Sequence, residues 1–268
     1  MLPGVYSAIK KNGEAYYRAS ITYRGKHISL GSYTQENDAN QAYRFAGEIL
    51  CEHSVWNIEG YPLFCILSFH KWVVLINFRD NQIYFKNPIY LRKRFFLYYL
   101  DCNTCLRFDV DDLFYYAHHK ILKRGGHLFV TDYGMQVNLL SRYGIKNYAV
   151  PGRDYLFSND DNHDYSYHNI EIVNHFHGVT KVLRTGQPQY LAKIHINGDY
   201  LVGRYPTETD AAIAYNKAAL ILKNKGLVKN YPQNFIENMD EITYASQFQK
   251  LRISKKFLAY SETIAILK

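Results

Sequence analysis

Apolar and polar residues alternate in two separate stretches of the 268-residue chain, one beginning at Gly4 and the other at Gly178. The first alternation is interrupted at Asn12-Gly13 and Arg24-Gly25, the second at Thr185-Gly186 and Asn197-Gly198. Such pairs are hairpin signals, so each stretch predicts three short antiparallel strands. The period then lengthens. Ala39, Ala42, Tyr43 and Ala46 recur at helical spacing after the first set, and Ala211, Ala214, Tyr215 and Ala218 after the second, with Thr34 or Thr207 placed to cap the helix. Small residues let a helix approach a sheet closely, and period-two alternation aims Ala19, Ile21, Ala192 and Ile194 at it. The opposite sheet face keeps Arg18, Ser20, Thr22 and Arg24 in the first copy and Lys193 and His195 in the second, with Lys10, Lys11, Lys26, Lys181 and Arg184 nearby. That face is polar and mostly basic.

The two stretches are copies of one another. Gly4-Val5 matches Gly178-Val179, Tyr17 matches Tyr190, Ala19 and Ile21 match Ala192 and Ile194, and Gly25 matches Gly198. With one residue deleted, Gly31-Ser32-Tyr33 then matches Gly203-Arg204-Tyr205. A repeat of this length marks a duplicated structural unit.

Between the copies the pattern is different. A composition shift after Glu52, through Ser54 to Gly60-Tyr61-Pro62, marks a boundary before a more apolar centre. The run Trp72 to Phe78 reads as a buried strand, Asp80-Asn81 as a turn and Ile83-Tyr84-Phe85 as another strand, with Tyr90 to Leu100 expected to be helical. Arg92, Lys93 and Arg94 lie among aromatics there, a mixture suited to a phosphate backbone or to a solvated helix face. Gly125-Gly126 and Gly134 lack the spacing of a phosphate loop and read as turns.

Composition adds a partner class. Lysine and arginine outnumber acids 32 to 24, a formal charge of +8, which favours polyanions through counterion release. A hydrophobic fraction of 47% supports packed cores, and 268 residues suggest two or three domains. Met1 is not followed by a cationic and apolar leader, and no apolar run approaches a bilayer span, so a cytoplasmic protein without a membrane partner is expected. Four cysteines, Cys51, Cys65, Cys102 and Cys105, are expected to stay reduced. Cys102 and Cys105 with His118 and His119 have poor zinc-finger spacing, since the second histidine should follow the first by about 3 to 5 residues.

Each copy, with GV, then YRASI or YLAKI, a glycine turn, LG or VG, an aromatic and an alanine helix, resembles the APETALA-two, ethylene-response-factor type of DNA-binding domain. That resemblance implies a three-stranded sheet in the major groove of double-stranded DNA, with contact positions at Tyr6, Ala8, Ser20, Thr22, His27 and Ser29 in the first copy. In the second they fall at Thr180, Val182, Lys193, His195 and Leu201. Several are not the arginines that the family uses, so its base preference does not carry over. The centre, with FDVDDLFYYAHHKI, GGHLFV, MQVNLL and NDDNHDYSYHNIEIVN, resembles HNH homing endonucleases that precede the same module. Laying Asp164 and Asn169-Ile170 on that motif puts Phe157 at the general-base histidine, after Leu156. An apolar ring cannot accept a proton. Asp154, His163, His168, His175 and His177 remain as candidate ligands for a divalent metal or as hydrogen-bonded surface residues.

The expectation is therefore an α+β chain: a DNA-binding module over 1–53, a degenerate HNH-like domain over 62–177, a second module over 178–235 and a helical extension over 236–268. The resemblance implies a non-enzymatic bacterial or phage transcriptional regulator, associated with the nucleoid, needing no cofactor and no metal. Two other readings stay open. One is an active metal-dependent nuclease or nickase, the other a phage-type inhibitor whose centre binds a protein partner.

Overall fold

The chain has an α+β fold of small antiparallel sheets and helices. The structure, a computed structural model, describes residues 1–237 and 239–266. It divides into two compact units, Met1–Leu139 with Asp161–Asn169, and Leu140–Asp160 with Ile170–Lys268. Residues 62–177 thus contribute to both.

The first unit opens with β1 (Val5–Ile9), β2 (Ala15–Tyr23) and β3 (Lys26–Tyr33), an antiparallel sheet in that order, followed by α1 (Glu36–Leu50). Arg24 and Gly25 close the second hairpin with φ of 46° and 76°, the backbone that a two-residue turn between twisted strands requires. Ala39, Ala42 and Ala46 of α1 are fully buried against Val5, Ala19, Ile28 and Leu30. The expected cap at Thr34 is not made. It lies one residue too early, and Gln35 occupies the N-cap without a side-chain bond.

Trp72 to Phe78 form not a strand but the middle of a helix, α2 (Phe69–Asn81). Ser68 accepts from the Lys71 N–H at its start, and Gln82 ends it in the left-handed conformation. Every residue from Trp72 to Phe78 is buried, so the run carries no periodicity from which helix and strand can be told apart. Asn77, the polar residue in the run, donates to Ile83 O at 2.8 Å and accepts from Leu91 N at 2.9 Å. Ile83 to Phe85 form a loop, with Tyr84 packed edge-on to Phe78.

The helix expected over Tyr90 to Leu100 is a hairpin instead. It belongs to a sheet of β4 (Ile89–Leu91), β5 (Phe95–Tyr99) and β6 (Cys105–Asp109), where burial alternates through Phe96 and Tyr98 with period two. Four aromatic residues among the five from Phe95 to Tyr99 favour the pleated surface over a helix. Then come α3 (Leu113–His118) and a third sheet of β7 (Ile121–Arg124), β8 (His127–Asp132) and β9 (Met135–Asn138).

The second unit holds a two-stranded pair, β10 (Tyr155–Phe157) with β11 (Ile170–Ile172), and then β12 (Val179–Arg184), β13 (Gln187–His195) and β14 (Asp199–Tyr205) in one antiparallel sheet. After it run α4 (Glu208–Asn224), α5 (Glu241–Lys250) and α6 (Lys255–Ile266). Thr207 does cap α4, accepting from Asp210 N at 3.1 Å.

The repeat extends to fine geometry. Both sheets shift register at the same place, between Ala19 and Ser20 and between Ala192 and Lys193. Ser20 N donates to Gly4 O at 3.0 Å and Lys193 N to Gly178 O at 2.7 Å, tying the bulge to the start of the first strand. Gly4 (φ +73°) and Gly178 (φ +71°) lie against the rings of Tyr43 and Tyr215, where a Cβ would overlap them. Tyr33 and Tyr205 each donate a phenol proton to a later backbone carbonyl, Ile66 O and Arg252 O. In the second copy the C-terminal segment also seals the outer strand, with Ser254 N bonded to Val202 O and Tyr260 stacked on Tyr200.

Candidate nucleic-acid interface

In both copies one sheet face meets the alanine helix and the other is open. The strand register fixes which side chains share the open face. In the first copy the rows are Tyr6, Arg18 and Ser32; Ala8 and Tyr16; Ser20 and Ser29; Thr22 and His27. Tyr6 is 56% exposed, and Arg18, Thr22, His27 and Ser29 are exposed as expected. Ser20 is not: the bulge beside it leaves it 7% exposed.

Arg18 is braced by Tyr16, which accepts from its Nη2 at 2.6 Å and its Nε at 3.1 Å. This holds the guanidinium above the sheet. Lys10 pairs with Glu14 at 2.9 Å in the first hairpin, beside exposed Lys11. Arg24 stands at the second hairpin, 5.6 Å from the centre of the Tyr23 ring. Lys26 leaves the open face. It pairs in register with Tyr23, on the helix side, and its ammonium lies 5.0 Å from the centre of the Tyr84 ring.

In the second copy the open rows are Thr180, Leu191 and Arg204; Val182 and Gln189; Lys193 and Leu201; His195 and Asp199, with Arg184 at the hairpin end. Lys193, His195, Arg184 and Arg204 are exposed, whereas Thr180, Val182, Leu191 and Leu201 are half-buried. His195 Nδ1 sits 2.8 Å from Asp199 Oδ1, placing a carboxylate beside this imidazole. Lys181 has the parity of Val179, Tyr190 and Tyr205 and therefore belongs to the helix side. Tyr16, Ser32, Gln189, Leu191, Arg204 and Asp199 complete the two faces and were missed by sequence reasoning. Arg204 was visible within the matched Gly203-Arg204-Tyr205, but its facing depends on the bulge.

The centre is built differently. Phe157 pairs in register with Ile170. Asp164 is buried, accepting from Ser166 N at 3.0 Å, and Asn169 Nδ2 donates to Asp164 O at 2.8 Å. The segment is fastened to β6 through Arg107, whose N–H donates to His163 O and whose carbonyl accepts from Tyr165 N. From β11 the chain passes through residues 173–178 directly into β12.

Asp154 is also buried. Burial pushes its carboxyl up, but Arg153, the Val150 N–H and Asn174 outweigh it, so the carboxyl titrates below the usual range. His163 lies near Asp161, His168 is exposed, and His175 bonds Glu208. His177, wedged between the rings of Tyr148 and Tyr215, titrates below the usual histidine range because burial penalises its cation. His118 and His119 bond the carbonyls of Phe114 and Tyr115 in α3, and burial pushes the Cys105 thiol up to about 11. Among the described residues, no three His, Cys, Asp or Glu side chains converge to hold a metal ion, and no helix is long and apolar enough to cross a membrane. No family model matches the chain, and no curated protein or solved structure matches it.

Proposed function

We propose that the chain binds double-stranded DNA through the open faces of its two sheet-and-helix modules. The observation that carries this reading is the duplicated face itself. One register and one bulge present Arg18 in the first copy and Lys193 and Arg204 in the second on a sheet side away from the helix. A three-stranded sheet fits the major groove, where phosphate contacts position the protein and base-edge contacts select the site. Two modules on one chain raise avidity for paired sites. In this reading the protein is a bacterial or phage regulator related to mobile-element endonucleases, and it does not cut. Phe157 stands where the motif needs a base, and Asp164 and Asn169 spend bonds inside their own loop.

The test is equilibrium binding to a labelled 30-base-pair duplex across salt concentrations. With about four phosphates neutralised, affinity is expected to fall roughly a hundredfold or more between about 50 and 200 mM salt. Absent binding, or binding indifferent to salt, removes the proposal. The same mixtures with magnesium or manganese are expected to leave supercoiled plasmid uncut, and metal-dependent nicking would return the nuclease reading.

A further inference from the structure

The two open faces share a backbone but differ in chemistry. By register, Leu191 occupies the place of Arg18, Leu201 that of Ser29, and Val182 that of Ala8. Leu191 lies on the central strand between Thr180 and Arg204, and Leu201 on the outer strand beside Lys193, so the second face interleaves aliphatic side chains with cations. All three aliphatic residues are half-buried on a face turned away from α4. Folding of the module does not require apolar residues there, since the first copy is built on the same register with Arg18, Ser29 and Ala8.

Resting on the DNA-binding reading, we infer that the second module selects sites by packing Leu191 and Leu201 on thymine 5-methyl groups in the major groove. The methyl is the one apolar projection that a base pair offers in that groove, and apolar side chains are its physical complement. Lys193 and Arg204, in the same rows as the two leucines, are placed to reach the flanking phosphates and hold the sheet at contact distance. The hydroxyl and guanidinium groups of the first face make no equivalent apolar surface. The chain therefore reads two unlike half-sites, the one beneath the second module rich in thymine.

The experiment removes only the methyl group. Full-length protein is titrated onto a 24-base-pair alternating A·T duplex and onto the same duplex with uracil in place of every thymine. Burying one methyl is worth roughly fourfold in affinity, so a loss of about fourfold to fifteenfold on uracil is expected for one or two contacts. Alternating G·C duplexes with and without 5-methylcytosine provide a gain-of-methyl arm on the wild type, expected to tighten by a similar factor. The L191S/L201S double variant is expected to bind thymine and uracil duplexes equally, at the wild-type uracil level. If that variant fails to fold, the two wild-type arms decide alone. Equal wild-type affinity for thymine and uracil duplexes overturns the inference and leaves DNA binding standing. Absent binding to every duplex overturns both.

Discussion

Tyr43 and Tyr215 hold the same place in the two modules, yet one ring is half-buried and the other is 1% exposed. His177 packs edge-on to Tyr215 at 5.1 Å, while the matching position in the first copy is Pro3, whose carbonyl accepts from Asn40. Gly178 is likewise enclosed on two sides, since an added Cβ would meet both the Tyr215 ring and Lys193 O at 2.5 Å. At Gly4 the nearest atoms all belong to Tyr43. The lesson is that one register can carry a tightly enclosed helix-sheet contact and a looser one. The same register also carries two open faces of different chemistry. The copies share the register that builds the sheet and differ in how tightly the helix closes on it and in what the open face presents.

The largest expected consequence is at the tyrosines. Tyr215→Ala should cost about 3 to 5 kcal/mol and Tyr43→Ala about 1 to 2 kcal/mol, because only the enclosed ring leaves a closed cavity. Urea unfolding of each variant checks this, and equal losses would erase the distinction. Next come the glycines. Gly178→Ala should cost about 2 to 4 kcal/mol, since a backbone carbonyl cannot swing aside and the φ is positive. Gly4→Ala should lose about 1 to 3 kcal/mol, since the Tyr43 ring can turn away from the added methyl but its Cβ, 2.8 Å from it, cannot. The same unfolding curves rank them.

Smaller effects concern the faces. Replacing Lys193 and Arg204 together by alanine should weaken duplex binding roughly tenfold and flatten its salt dependence, with circular dichroism unchanged. Arg18→Ala should weaken it about fivefold, and no change in either would count against the open faces. The smallest effect is in pH. His177 has a folded pKa below its ordinary 6.5, so the neutral ring is the one the fold accepts. Its contribution is fully present above about 6.5 and is lost as pH falls through that range toward the lower folded value. H177F should therefore reduce the drop in melting temperature between pH 7.5 and pH 5.5, and an unchanged drop would assign it to other groups.

Legibility in the sequence followed the same division. Both modules could be read because alternation, hairpin glycines and alanine spacing point to one answer and occur twice. The centre could not. Trp72 to Phe78 are buried all round, so the run has no face, and the helix declares itself only through Ser68 at its start and Gln82 at its end. Phe95 to Tyr99 alternate in burial, not in hydrophobicity, because every residue there is apolar. On the faces, parity counting placed residues on the open side before and after each bulge. It gave no sign that Ser20, beside the register shift, is buried, and it overlooked the helix-side parity of Lys26 and Lys181.

The central claim is that the open sheet faces touch DNA, and lysine acetylation with and without a bound duplex addresses it residue by residue. Lys193 and Lys11 stand exposed on or beside the open faces. Lys26 lies over Tyr84 on the other side, and Lys217 bonds the carbonyls of Gln249 and Leu251. Bound duplex should protect Lys193 and Lys11 and leave Lys26 and Lys217 at their free-protein reactivity. Undiminished reactivity of Lys193 and Lys11 on saturating DNA, or protection confined to Lys93, between β4 and β5, and Lys123, in β7, would contradict the account.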